Sequence, residues 1–129
     1  MLEEVVEIHR QQIDRYGGSL GIRDSAGLES ALSMPRATFD GEYLHASVPA
    51  MAAAYLFHVC QNHPFIDGNN RVGANAAVTF LLVNDWVPGF ETDKFVDLVL
   101  AVASGVMDKS ALTTQFELHC QPVDTGFAD

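Results

Sequence analysis

The chain has 129 residues, 48% hydrophobic and 19% charged, the size and composition of one ordinary globular domain, 1–129, with a single core. A formal net charge of −10, from 7 basic against 17 acidic residues, excludes direct nucleic-acid binding, which depends on Lys and Arg neutralising phosphates, and suits a partner with a basic face. No apolar run reaches the roughly 18 residues of a membrane span; Met1-Leu2-Glu3-Glu4 lacks the basic start of a signal peptide, and 2 cysteines without metal spacing suggest neither a disulfide scaffold nor a zinc site, so the cytoplasm is the expected compartment.

Residues 2–16 read as a first helix, with Leu2, Val5, Val6, Ile8, Ile13 and Tyr16 as an irregular apolar stripe and Gly17-Gly18 as its end. After a short link, Asp24 or Ser25 caps a second helix over about 25–33, with Leu28, Ala31 and Leu32 inward and Pro35 closing it. Residues 36–46 lose helical periodicity: Thr38-Phe39-Asp40-Gly41-Glu42-Tyr43 alternates around a Gly turn and predicts an extended or hairpin-like flap, or an ordinary surface loop. Ser47 caps a third helix to about Asn62, with Pro49 in its first turn and apolar residues around most of its circumference.

His63-Pro64-Phe65-Ile66-Asp67-Gly68-Asn69-Asn70-Arg71 follows, and the rest of the chain is organised around it. Pro64 stops the helix at His63, and Gly68 admits a turn conformation closed to other residues. The next helix begins at about Asn69 or Asn70, either of which can cap it, and its free N–H groups and dipole point back at the loop. That is an anion site, lined by Ile66, Gly68, Asn69, Asn70 and Arg71. Arg71 is unfavourable at the positive end of a helix dipole unless a phosphate sits there to be held by the guanidinium.

Val72–Val83 are apolar or small almost throughout. This helix and the third are expected to form the centre of an all-α bundle that supports the loop. Asn84–Gly89 reads as a turn. Thr92 or Asp93 caps a helix to about Ser104, with Phe95, Leu98, Val99 and Val102 inward. Gly105 breaks it, Asp108 starts a last helix that Pro122 ends, and Asp124–Asp129 are expected to fray. His9, His45, His58 and His119 lack metal spacing; His58 is read as a core or supporting residue and the others as surface, while Phe65 anchors the loop to the core.

The loop resembles the signature of the Fic/Doc family, H-[PX]-F-x-[DE]-[GA]-N-[GK]-R, with His63, Pro64, Phe65, Asp67, Gly68, Asn69 and Arg71 in register. Gly21-Ile22-Arg23-Asp24, Leu28–Leu32 and Pro35 also resemble the Doc branch. Asn70 departs from the pattern, because AMP-transferring Fic enzymes usually carry Gly there and Doc toxins Lys. Ala74 stands where Fic enzymes tend to have a second Arg. The resemblance implies a compact helical bundle, with the flap near 36–46 lying beside the active site and aligning the target by strand-like pairing.

With a nucleotide's phosphates in the loop, Asp67 can hold a Mg²⁺ that bridges phosphate oxygens. Arg71 and the loop amides can stabilise charge on the transferring group. His63 can take the proton of an incoming hydroxyl, since imidazole titrates near working pH. Asn69 can orient a phosphate oxygen or brace the loop. The resemblance assigns His63, Asp67, Asn69 and Arg71 the same catalytic roles, with ATP as substrate. It implies a Doc-like toxin of a bacterial or archaeal cytoplasm that moves the γ-phosphate of ATP to elongation factor Tu and arrests translation, partnered by a Phd-type antitoxin. AMP transfer to a protein hydroxyl by the same residues is the second reading, and a non-catalytic nucleotide- or partner-binding module the third. Leu118 does not fit the inhibitory-helix motif that some Fic proteins carry, so Thr113 and Glu117 are read as an ordinary helix face.

Overall fold

A computed structural model of the chain describes residues 2–123. The elements run α1 (Leu2–Tyr16), α2 (Ser25–Ser33), a short 3-10 turn (Met34–Arg36), β1 (Thr38–Phe39), β2 (Glu42–Tyr43), α3 (Val48–Asn62), α4 (Asn69–Val83), β3 (Trp86–Pro88), α5 (Thr92–Ala103), α6 (Lys109–His119) and β4 (Cys120–Pro122). The architecture is helical, as the sequence predicts. The expectation for Asp124–Asp129 lies outside the described residues.

α3 and α4 form the centre. Ala52, Ala53, Ala54, Tyr55, Leu56, Val59 and Cys60 of α3 are buried, as are Val72, Ala76, Ala77 and Leu81 of α4. Small residues let the two backbones approach: a Cβ on Gly73 would stand 3.3 Å from the Leu56 carbonyl oxygen. Apolar neighbours on every side explain why neither helix shows a strong polar face. α6 closes the core with Leu112 and Phe116, α5 with Leu98, Val99 and Val102, and α2 with Leu28 and Ala31.

Local signals set most boundaries. Asp24 caps α2 by accepting the Gly27 N–H, Ser47 caps α3 through Ala50, and Asp108 caps α6 through Ala111. Asp40 and Gly41 both have positive φ, so the flap is a two-stranded hairpin with Thr38 opposite Tyr43 and Phe39 opposite Glu42. None of the hairpin residues lines the cleft described below.

Four expectations are corrected. The α5 cap is Glu91, without a side-chain bond; Asp93 accepts only the N–H of its neighbour Lys94. The stretch after α4 is not merely a turn, because Trp86–Pro88 pair antiparallel with Cys120–Pro122, and α6 ends at His119 as the chain extends into that pairing. His9 is 3% exposed rather than a surface residue, since it follows Val5 and precedes Ile13 at helical spacing on the inner face of α1. His45 is half-buried, with its Nδ1 shielded from solvent. Partial burial, with Lys109 and His45 nearby, holds His58 down at about 4, so this half-buried ring at the edge of the core stays neutral.

Candidate active site

The loop from His63 to Gly68 is held by backbone geometry that its own residues impose. Asn62 ends α3, and His63 closes it in the left-handed conformation, φ 44° and ψ 53°. Pro64 cannot continue the helix. The terminal carbonyls of α3 are met by Arg23 from the α1–α2 connection: its Nε donates to the His63 carbonyl at 2.9 Å and its Nη2 to that of Asn62 at 3.2 Å. A guanidinium at this end also meets the negative pole of the helix.

The α1–α2 connection runs alongside the loop like a second strand. Ile66 N–H donates to the Gly21 carbonyl at 3.1 Å, and the N–H groups of Arg23 and Asp24 both donate to the Pro64 carbonyl, at 2.7 and 3.0 Å. Ile22 and Phe65 form an antiparallel bridge. At the far end, Ser19 N–H donates to Asp67 Oδ2 at 2.8 Å. Gly18 makes this approach possible, because its φ is +114° and a Cβ there would stand 3.2 Å from that of Asp67.

From below, Phe65 is 1% exposed and stacks on the His9 ring with centroids 4.0 Å apart. His9 Nε2–H donates to the Asp67 carbonyl at 2.9 Å. Asn69 turns its carboxamide back on the loop, accepting the Phe65 N–H at 2.9 Å and donating to the Phe65 carbonyl at 3.0 Å. Of the three expectations for Asn69, a helix cap, a phosphate contact or a brace, the side-chain contacts are those of a brace. The N-cap of α4 is Gly68, in left-handed conformation, and not Asn69 or Asn70 as expected; it brings no side-chain cap, so the first amides of that helix remain available.

These features open on a cleft of about 680 Å³. Its polar wall is His63, Asp67, Gly68, Asn69, Asn70 and Arg71, with Ile66 at the edge. Its apolar lining is Phe95, Val96, Val99 and Leu100 of α5, with Ala74 one turn beyond Asn70 and Arg71 on α4. Every residue singled out in the sequence for catalysis or phosphate binding thus lines one cleft. The side chains of His63, Asp67 and Arg71 are exposed to it, and the Arg71 guanidinium lies 4.8 Å from the centroid of the Tyr16 ring.

The two thiols take no part. Burial pushes Cys60 up to about 12 and Cys120 to about 11, so both stay protonated and away from the cleft.

Sequence reasoning missed the supports from outside the loop: His9, Tyr16, Ser19, Gly21 and Arg23. For His9 a signal existed in its spacing from Val5 and Ile13; for the others the sequence does not indicate the partner, because Ser19 and Gly21 act through the backbone and Tyr16 and Arg23 reach groups some forty positions or more away. Arg23 can be tested directly. Its two carbonyl contacts are solvent-exposed, so Arg23→Ala should cost about 1 kcal/mol of stability in chemical denaturation. Arg23→Lys should recover only part of that, since an ammonium lacks the fork that spans both carbonyls. An unchanged denaturation midpoint in Arg23→Ala would show that the helix end is held without it.

Comparison with known proteins adds a second line of observation. A family model described as the Fic/DOC family matches residues 1–81. A protein named "Toxin Doc" from Mycolicibacterium smegmatis is 32% identical over 113 residues, covering 86% of this chain and 87% of that protein. A "Protein kinase doc" from Escherichia phage P1 is 30% identical over 110 residues, covering 85% of this chain and 86% of that protein.

Proposed function

The chain belongs to the Fic/DOC family, and on that premise we propose that it is a Doc-like toxin: a Mg²⁺-dependent kinase that transfers the γ-phosphate of ATP to a hydroxyl of elongation factor Tu and so arrests translation. The observation that carries the reading is the convergence of His63, Asp67 and Arg71 on one cleft at the N-terminus of α4. The names of the two relatives support the toxin and kinase parts. The translation factor, the bacterial or archaeal cytoplasm as its place of action and a Phd-type antitoxin as partner extend the resemblance to the Doc branch. Ala74 favours phosphoryl over AMP transfer, because the cleft has an apolar surface where a second Arg would otherwise reach more of the phosphate chain.

The residues present fit a Mg²⁺ ion arriving with the nucleotide. Asp67 has one carboxylate oxygen on Ser19 N–H and the other without a partner among the described residues, and it faces the cleft. Among the described residues no group of three or more His, Cys, Asp and Glu could hold an ion unaided. One carboxylate completed by substrate oxygens is the usual manner of this ion, which when bound supplies positive charge to the phosphate oxygens.

The chain's own residues do the rest. Gly68–Arg71 amides and the Arg71 guanidinium hold the phosphate chain, and the guanidinium stabilises charge as the bond to the leaving diphosphate breaks. His63, at the rim, removes the proton of the incoming hydroxyl as its oxygen bonds to phosphorus. Asn69 keeps the loop closed, so no reorganisation is needed at the moment of reaction.

The test uses purified protein, Mg²⁺, elongation factor Tu and ATP labelled separately at the α- and γ-phosphates, with intact mass followed on the acceptor. A gain of one phosphoryl group with label from the γ position alone is expected. Label from the α position would make the protein an AMP-transferring enzyme, and no transfer to this acceptor would remove it as the substrate.

A further inference from the structure

We propose that Tyr16 is a positioning residue for Arg71, holding the guanidinium over the cleft by its ring face so that the N–H donors stay free for a phosphate; this rests on the phosphate-binding reading given above. The Arg71 Cζ stands 4.8 Å from the Tyr16 ring centroid. Arg71 lies in the first turn of α4, where the helix dipole repels a cation. The usual remedy is a carboxylate nearby, yet among the described residues no acidic side chain forms an ion pair with Arg71.

An ion pair would anchor this side chain and also occupy the donors and neutralise the charge that a phosphate needs. An aromatic face does neither. It attracts the cation through its quadrupole without offering a carboxylate to take up the N–H groups. Arg15 also lies near the ring, but farther off, at 6.0 Å.

Tyr16 is placed to do this by the same turn that grips Asp67. It is the last residue of α1, the left-handed Gly17 and Gly18 redirect the chain, and Ser19 N–H reaches Asp67 Oδ2. One short segment therefore touches both Asp67 and Arg71 of the loop. The Tyr16 ring is 57% exposed and outside the core, so burial gives no separate reason for an aromatic residue here.

The test is a double-mutant cycle read as the dissociation constant for ATP with Mg²⁺, with the fold of each variant checked by its melting transition. Tyr16→Leu should weaken ATP binding by roughly two- to fivefold, the range for an exposed cation–π contact, and Tyr16→Phe should stay close to wild type. In the Arg71→Ala background Tyr16→Leu should have no further effect, because it acts only through the guanidinium. In the ligand-free protein, the Arg71 side-chain proton resonances should be shifted upfield by the ring in wild type and Tyr16→Phe, and not in Tyr16→Leu. Three outcomes overturn the proposal: no upfield shift, unchanged ATP affinity in Tyr16→Leu while Arg71→Ala weakens it, or the same loss from Tyr16→Leu with and without Arg71. If Arg71→Ala itself leaves ATP binding unchanged, the phosphate-site reading fails and this one with it, a result distinguishable from the other three.

Discussion

His63→Ala is expected to lower the rate of phosphoryl transfer by a factor on the order of 10²–10⁴, the range for loss of a positioned general base. The His63 side chain is exposed to the cleft and forms no hydrogen bond among the described residues; its fixed contact is through its carbonyl, which accepts from Arg23. Removing the ring should therefore leave the fold standing, and His63→Asn is a useful companion because Asn tolerates the left-handed conformation at φ 44°. Both variants should melt near the wild-type temperature and still bind ATP. Single-turnover transfer of labelled γ-phosphate measures the chemical step, and expression of the variants measures growth arrest. Transfer by either variant at close to the wild-type rate would remove His63 from the role of base. Loss of ATP binding together with transfer would instead place the ring in nucleotide binding.

Helix boundaries were legible wherever a local signal carries them. Asp24, Ser47 and Asp108 cap as their residue types suggest, and Pro64 and Gly68 bound the loop between two helices that begin and end where expected. The convergence of the loop's polar side chains was legible for the same reason: His63, Asp67 and Arg71 are close in sequence, so a short run of residues is enough to bring them to one cleft. What holds the loop was not. The bonds of Ser19, Gly21, Arg23 and Asp24 with the loop each have a backbone group on at least one side and span some forty positions or more, for example 48 between Ser19 and Asp67, so side-chain type says little about them. Asn69 illustrates the ambiguity that remains at a motif position. Its residue type is compatible with a helix cap, a phosphate contact or a brace, and only the placement of Phe65 directs its amide back onto the loop. The β3–β4 pair was missed because three-residue strands are too short for alternation to register, and their pairing joins residues on either side of two helices.

The proposed function gives Asp67 a second task beside its bond to Ser19, and a pair of substitutions should divide the two. Its Oδ2 accepts the Ser19 N–H at 2.8 Å, which ties the α1–α2 connection to the loop. Its negative charge is what a Mg²⁺ ion would need, and an amide oxygen is a far weaker ligand for so hard a cation. Asp67→Asn keeps an acceptor for Ser19 and removes the charge; Asp67→Ala removes both. Asp67→Asn should therefore melt like the wild type, whereas Asp67→Ala should lose up to about 1 kcal/mol, a modest figure because the bond is solvent-exposed. Activity should follow the charge instead. Both variants should lose transfer by on the order of a hundredfold or more, the scale of a metal ion's charge stabilisation in the transition state. In both, the Mg²⁺ concentration giving half-maximal rate should rise. The measurement is the transfer rate from γ-labelled ATP across a Mg²⁺ titration, set beside the melting curves. If Asp67→Asn keeps the wild-type rate and Mg²⁺ dependence, Asp67 does not hold the ion, and its carboxylate serves only as the anchor for Ser19. If Asp67→Ala is inactive while Asp67→Asn is not, the tie to the α1–α2 connection, rather than the metal, is what the reaction requires.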